Sequence, residues 1–501
     1  LFAAGACGIY TGVTTGFMTR FLTAILLLGS LAIPIERTLP AETGDLSSER
    51  YFRSDLGVAS TSGPLPSDLN APETLRWRVA VDSGQSTPLV CAGKIFLTTY
   101  RAETGELATL ALDEATGETL WKRPVPVAQI ETFHPQMGNA AVATPACDGR
   151  RLYVFFGSHG LICYDLAGNT VWDHPMGPFM DEYGAGSSPI LIDGKVILNQ
   201  DHDKESFLTA IDSSTGRTVW TSARPDAVRS YATPAIWSHH GRKELLVAGA
   251  LELASHDPAN GQKLWSTHGL ARIVIPIPVP SGDMIYMASW APGGDAGKRL
   301  TLDTWPAAIA KWDIDKDGQL SKSEINDGEV LNRFFRMDLD QDGKLNRMEW
   351  ERHAAFFTRA QNAVLALKPE GRGELGENIV AWKYQRGIPY VATPLLDRGI
   401  LWMVKDGGIV TKLDAATGRV LQEERLPGLG NYYASPVAGD GKVYFASEPG
   451  VVGIVANQTE WKVISSREFR EKIHASPVIE RDRLYIRTEK ALYCFGTHRP
   501  R

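Results

Sequence analysis

Thr144-Pro145, followed by Arg151-Leu152-Tyr153-Val154 and then by Asp165, Gly168 and Trp172, is the stretch that decides the architecture, because its parts recur along the chain. The run after the proline alternates with the period of a strand. Asp and Gly then suit a tight turn, since Asp bonds its own backbone and Gly accepts positive φ. A Trp four residues past the glycine is large enough to fill a wedge between neighbouring sheets, with one N–H left to satisfy.

The Ser/Thr-Pro step returns at Thr87-Pro88, Ser188-Pro189, Thr233-Pro234, Thr393-Pro394, Ser435-Pro436 and Ser476-Pro477, with a degenerate copy at Ile277-Pro278. Successive prolines are 57, 44, 45, 44, 116, 42 and 41 residues apart, and five of these intervals have the length of one four-stranded propeller blade. A loop around residues 125–139 stretches the first interval, and the long one exceeds a 44-residue period by 72 residues, enough for a small extra domain. The strand run recurs as Lys94-Ile95-Phe96-Leu97 and Lys442-Val443-Tyr444-Phe445, and the turn as Asp113/Gly117/Trp121, Asp212/Gly216/Trp220 and Asp257/Gly261/Trp265. The sixth repeat has Leu421 where Trp would stand, and the seventh keeps Trp461 without the Gly turn. Trp77 precedes the first anchor as Trp265 and Trp382 precede theirs, whereas the last repeat ends at Leu492-Tyr493-Cys494-Phe495 with no Trp after it. The N-terminal strand therefore completes the last blade, which removes the edges an open ring would expose. The fold expected is all-β: an eight-bladed β-propeller with a small α-helical pair inserted in the fifth blade.

Within the long interval, 313–324 reads Asp-Ile-Asp-Lys-Asp-Gly-Gln-Leu-Ser-Lys-Ser-Glu and 338–349 reads Asp-Leu-Asp-Gln-Asp-Gly-Lys-Leu-Asn-Arg-Met-Glu. Both match the calcium loop of an EF-hand at every constrained position. Calcium wants six to eight oxygens, and each loop offers three carboxylates, a backbone carbonyl and a bidentate Glu around a glycine that permits the sharp turn. The expected ligands are Asp313, Asp315, Asp317, Gln319, Ser321 and Glu324 for one ion, and Asp338, Asp340, Asp342, Lys344, Asn346 and Glu349 for a second. Leu320 and Leu345 would join the two loops. Flanking helices are expected over 305–312, 329–337 and 350–362, with Trp312, Leu331, Phe334, Phe335, Phe356 and Phe357 as a core. Only thirteen residues separate the loops, which argues for structural calcium rather than a sensor that opens a wide groove.

Hydrophobic residues make up 43% and charged residues 22% of the 501, so the chain can bury a large core. A net charge of −6 without a Lys/Arg cluster argues against a nucleic-acid partner. Residues 1–17 are expected to lie upstream of a start at Met18, residues 18–41 to be a signal peptide with Leu39-Pro40-Ala41 at its cleavage end, and 42–74 to be a linker. The propeller then occupies 75–293 and 364–496, the helical pair 294–363, and a tail 497–501. No span is expected in the mature chain, and the location expected is periplasmic or secreted. Cys91, Cys147, Cys163 and Cys494 read as buried apolar side chains, with a single disulfide open in an oxidising compartment.

The repeats resemble the pyrroloquinoline-quinone-like propeller family, which includes quinoprotein alcohol dehydrogenases and the lipoprotein of the outer-membrane assembly machinery. The resemblance covers roughly 75–496 outside the insertion. It is strongest to bacterial members that combine the propeller with EF-hands, through Gly186-Ser187-Ser188-Pro189-Ile190-Leu191, Asn199-Gln200-Asp201-His202-Asp203 and Lys405-Asp406-Gly407-Gly408. It implies either a binding or assembly scaffold of the envelope, with envelope proteins or a polar axial ligand as partner, or a quinone-dependent oxidoreductase with an axial site. The dehydrogenases use an adjacent Cys-Cys pair, which this sequence lacks. Residues just before the anchors should converge on the axis: Gln85, Asp181, Glu182, Tyr183, Arg229, Tyr231, Arg272, Tyr390, Asn431, Tyr432 and His474. Asp201-His202-Asp203 reads as a polar hairpin loop rather than a metal cluster.

Overall fold

The computed structural model describes residues 49–497, apart from 180, 203, 204, 293, 296–300 and the side chain of 357. At its centre the Ser/Thr-Pro steps form a ring. Each anchor amide donates to the anchor hydroxyl of the following blade, from Thr87 to Thr144 at 3.0 Å, Thr144 to Ser188 at 2.9 Å and Ser188 to Thr233 at 2.9 Å. Beyond the degenerate anchor it resumes from Ile277 to Thr393, Thr393 to Ser435 and Ser435 to Ser476, and Ser476 donates back to Thr87 at 3.2 Å. Ile277 has no hydroxyl to accept from Thr233, so the ring is interrupted there. The proline that follows each anchor carries no N–H, so it adds no donor to the narrow centre.

Each anchor opens a sheet of four antiparallel strands, giving eight blades, and the fourth blade carries a short parallel fifth strand, Gly373–Glu374, beside Trp265 and Ser266. Blade 2 is Ala146–Cys147, Arg151–Phe156, Gly160–Asp165 and Thr170–Pro175, paired in that order. The alternation read in its second strand does not mark a half-solvated face: Leu152 through Phe156 are all buried, because neighbouring blades cover both faces. Polar alternation survives in the outer strand, where Val171 is 43% and Trp172 9% exposed. The last blade, Val478–Glu480, Arg483–Arg487 and Ala491–Gly496, is completed by Leu75–Ala80, with Trp77 opposite Cys494.

The tryptophans fill the seams between blades. Trp121 donates through its indole N–H to Leu166 O and lies on Gly168, where a Cβ would stand 2.7 Å from the ring. Trp77, Trp172, Trp220 and Trp382 repeat this on Gly117, Gly216, Gly261 and Gly418. Burying such a ring is worth roughly 4–6 kcal/mol as an upper bound. At the seam beside Leu421, buried Lys412 takes the indole's place: its ammonium lies 4.4 Å over Trp402 and donates to Gln458 O and Thr459 O, and burial pulls it down to about 8.

Two features differ from expectation. Cys91 and Cys147 are disulfide-bonded rather than free buried thiols, joining the innermost strands of blades 1 and 2, while Cys163 and Cys494 are free and buried. Residues 49–74, expected as part of a linker, dock on the disc. Arg50 pairs with Cys147 in blade 2, Val58 bridges to Ala438 in blade 7, and buried Arg53 donates to Pro436 O and Leu56 O, with Leu65 and Leu69 in the core beyond. Residues 1–48, including the expected signal peptide, lie outside the described residues.

In blade 5 the helical insertion joins Met284–Ser289 to Ala363–Leu367, the second and third strands. Its stems are clamped by Asn362, which accepts from Ala291 N and donates to Ala291 O. The insertion comprises α1 (Trp305–Trp312), α2 (Gly328–Leu331), α3 (Phe334–Met337) and α4 (Arg347–Arg359). The single helix expected over 329–337 is two short ones separated at Asn332-Arg333, and α4 starts three residues early on a capping box of Asn346 and Glu349. Trp305, Trp312, Phe334 and Trp350 form the core with Leu320 and Leu345. Leu331 and Phe335, expected inside, are 37% and 52% exposed, and Phe356 faces the propeller.

Candidate cation loops and axial cavity

Between α1 and α2, and again between α3 and α4, the chain folds three carboxylates inward. Oxygens of Asp313, Asp315 and Asp317, and of Asp338, Asp340 and Asp342, lie within 4.8 Å of one another in each loop. Gly318 and Gly343 turn at φ of +82° and +86°, and their amides donate to Asp313 and Asp338. Glu324 accepts from the amides of Ile314 and Ser321, and Glu349 from those of Leu339 and Asn346, so each closes its loop. Backbone and hydroxyl donors from Ser321 hold Glu324 down to about 2, whereas burial holds Glu349 above the usual carboxylate range. Leu320 and Leu345 pair in a short antiparallel bridge. The donor set fits a hard cation: all-oxygen, with Asp313 Oδ1 buried and unbonded. In such a site Gln319 and Lys344 would offer carbonyls and Ser321 a side-chain oxygen. Asn346 is committed to capping α4 through Glu349 N.

The loops sit differently. In the first, Ile314 is 74% exposed; in the second, Leu339 is 6% exposed, packed with Phe356 against Val228 and Ala250 of the propeller. Asp338 and Glu349 are buried with it. Lys344 of the second loop reaches Asp317 of the first.

On the axis lies a cavity of ≈ 200 Å³ walled by the anchors, with Phe52 contributed by the N-terminal segment. Of the expected residues, Gln85, Tyr183, Tyr231, Tyr390 and His474 line it. Asn431 does not, but donates to the Tyr433 hydroxyl at 2.9 Å, and Tyr433 lines the cavity stacked on His474. Tyr432 turns the other way into a blade core, as alternation along an extended segment requires. That alternation was the signal by which Tyr433 could have been found. Asp201 and His202 lie in the hairpin connection between the antiparallel strands Lys195–Gln200 and Phe207–Asp212, as expected, but are packed: Asp201 forms a buried two-pronged pair with Arg224 at 2.7 and 3.0 Å, and His202 stacks on Phe179; Asp203 lies outside the described residues. Glu131, in the loop of the long first interval, is buried, and desolvation pushes it up to about 8.

Arg229, Arg272 and Glu182 miss the cavity wall and meet the insertion instead. Glu182 pairs with Arg229 at 3.5 Å and with Arg336 of α3 at 3.8 Å, and Arg229 lies 5.4 Å over the Phe335 ring. Asp181 is buried beside them in sequence. Nothing in the local sequence of α3 announces this contact, because its partner lies 154 residues away.

Comparison with known proteins agrees with this architecture. The model of the family described as outer membrane protein assembly factor BamB matches residues 56–178, 108–272 and 275–499. Among solved structures, BamB from Moraxella catarrhalis is similar with a TM-score of 0.53 and 13% identity, covering 84% of this chain and 99% of its own. A europium-containing methanol dehydrogenase scores 0.47 at 10% identity, covering 87% and 96%. The search of curated proteins finds no match. Among the described residues, no helix is long and apolar enough to cross a membrane. With the family model spanning all eight blades, the chain belongs to the BamB-like family of PQQ-like β-propellers.

Proposed function

We propose that the protein is a calcium-binding binding or assembly scaffold of the cell envelope, exported to the periplasm or secreted, with two calcium ions in the insertion, one of which sets it on the propeller rim. The observation that carries this reading is the pair of inward-folded carboxylate triads, one of them built into the contact between insertion and disc. Calcium would neutralise the mutual repulsion of each triad and tie the helices at either end of a loop together. The disulfide between Cys91 and Cys147 supports an oxidising compartment. The partner would be an envelope protein or a polar ligand at the axial cavity.

Calorimetric titration of chelator-treated protein with calcium tests the metal half: two ions per chain support it, and none with intact fold refutes it. Capture of envelope proteins by immobilised protein, lost on changing Phe335 and Arg336, tests the scaffold half. Stoichiometric binding of pyrroloquinoline quinone with dye-linked turnover would replace the scaffold reading by a quinone-dependent oxidoreductase.

A further inference from the structure

The seam between blades 4 and 5 is built unlike its neighbours. Trp121, Trp172 and Trp220 give their indole N–H to a carbonyl of the next blade, whereas Trp265 gives it to Glu244 Oε2 of its own blade at 2.9 Å. Ser255 Oγ donates to the same oxygen at 2.6 Å, so the buried Glu244 carboxylate is locked in orientation with Oε1 left over. That oxygen lies 3.4 Å from His239 Nε2, and the His239 side chain is itself 9% exposed, with Nε2 buried and making no hydrogen bond. The imidazole lies flat on Trp237 at 3.5 Å between ring centres, which fixes its plane. Both groups line a cavity of ≈ 380 Å³, and so do His240 and Asp283, which pair with each other at 3.2 Å. A buried nitrogen facing a buried carboxylate oxygen without a hydrogen bond is costly for folding alone, because both groups have left water.

We propose that this cavity binds one divalent transition-metal ion of the zinc class, with His239 Nε2 and Glu244 Oε1 as its fixed ligands and His240 as the third. Two donor atoms on a tetrahedral zinc stand about 3.3 Å apart, and two imidazoles on it have ring centres about 5 Å apart. The distances here are 3.4 Å between His239 and Glu244 and 5.4 Å between the rings of His239 and His240. Imidazole nitrogens select such an ion over calcium, which takes oxygens. Ser255 and Trp265 hold the ligating carboxylate in place, as the groups behind a metal ligand must. As the side chains stand, only the two acidic loops gather three donor atoms within 4.8 Å among the described residues, so His240 completes this site by rotating, and at 65% exposure it has room to turn. Asp283, 50% exposed and paired with His240, follows it with a fourth donor. Arg372, 3.9 Å from Glu244 Oε1 and half exposed, is the cation that the incoming ion displaces. The inference goes beyond the calcium reading and does not depend on it.

The test is calorimetry of the full chain with zinc chloride, calcium being kept in excess so that the acidic loops do not report. One zinc per chain is expected, weakened about tenfold or more in His239→Phe, which keeps the stacking on Trp237, and in His240→Ala. Arg372→Gln should tighten it about two- to fivefold by removing the nearby cation, an effect that loss of packing does not produce. Cobalt(II) in place of zinc should show the intense visible absorption of a tetrahedral site, abolished in His240→Ala. His240 is on the surface, so its variant decides the matter if His239→Phe fails to fold. Absence of saturable zinc binding, or equal binding by wild type and His240→Ala, overturns the proposal. Zinc lost in the double variant Glu324→Gln with Glu349→Gln, and retained in the histidine variants, belongs to the acidic loops and overturns it as well.

Discussion

The two acidic loops have nearly the same sequence pattern and opposite settings. At the second position of the first loop, Ile314 projects into solvent at 74% exposure; at the same position of the second, Leu339 is wedged against Val228 and Ala250 at 6%. The motif fixes what each loop can coordinate, while the position of the insertion on the disc decides what coordination does. An ion in the first loop would organise only the insertion. In the second, Asp338 and Glu349 are drawn out of water along with Leu339, so an ion there would offset a desolvation cost borne by the docked state.

The comparison is broken most directly by truncating the two second-position residues. Leu339→Ala should destabilise by about 2–4 kcal/mol, seen as a lower denaturant midpoint, and Ile314→Ala should change nothing measurable. Next comes loss of the closing carboxylates. Glu349→Gln should remove one calcium from the titration and cost about 1–3 kcal/mol of docking, because a buried backbone donor loses its carboxylate partner. Glu324→Gln should remove the other calcium with the propeller melt unmoved. A smaller effect separates the loops by pH. Burial raises Glu349, so the stability linked to its proton is full below the ordinary carboxylate pKa and is lost as pH rises through the raised one. Calcium-free protein should therefore melt at lower temperature as pH goes from about 4 to about 7, and Glu349→Gln should flatten that slope. The smallest effect concerns crosstalk: Lys344→Met removes the cation bound to Asp317 and should tighten calcium in the first loop by about two- to fivefold, read by calorimetry.

What could be read from the sequence was whatever repeats or is contiguous. The Ser/Thr-Pro anchors gave blade number because each blade needs one hydroxyl at the ring, and the Trp count gave closure because each seam needs a filler. The inward-folded acidic loops were legible because their carboxylates and turn glycines stand at fixed spacing along consecutive residues. Contacts made once, between distant segments, left no such mark. The Cys91–Cys147 bond joins residues 56 apart with no local pattern, and Arg53 reaches a carbonyl 383 residues away. Arg229 and Arg272 were expected at the axis from their position before the anchors, but they miss the cavity wall and meet the insertion, whose docking no periodicity encodes. Tyr433 was missed by one place along an extended segment, where one place reverses the face.

Closure of the ring by the N-terminal strand also sets a timetable. Arg78 bonds Tyr493, 415 residues later in the chain. At roughly 5–20 residues per second, the ribosome needs about 20–80 s to supply that partner. Until then the first strand has no sheet to join, and the edge it will share stays open. Synthesis must therefore finish, and the waiting segment be kept from pairing elsewhere, before the disc can close.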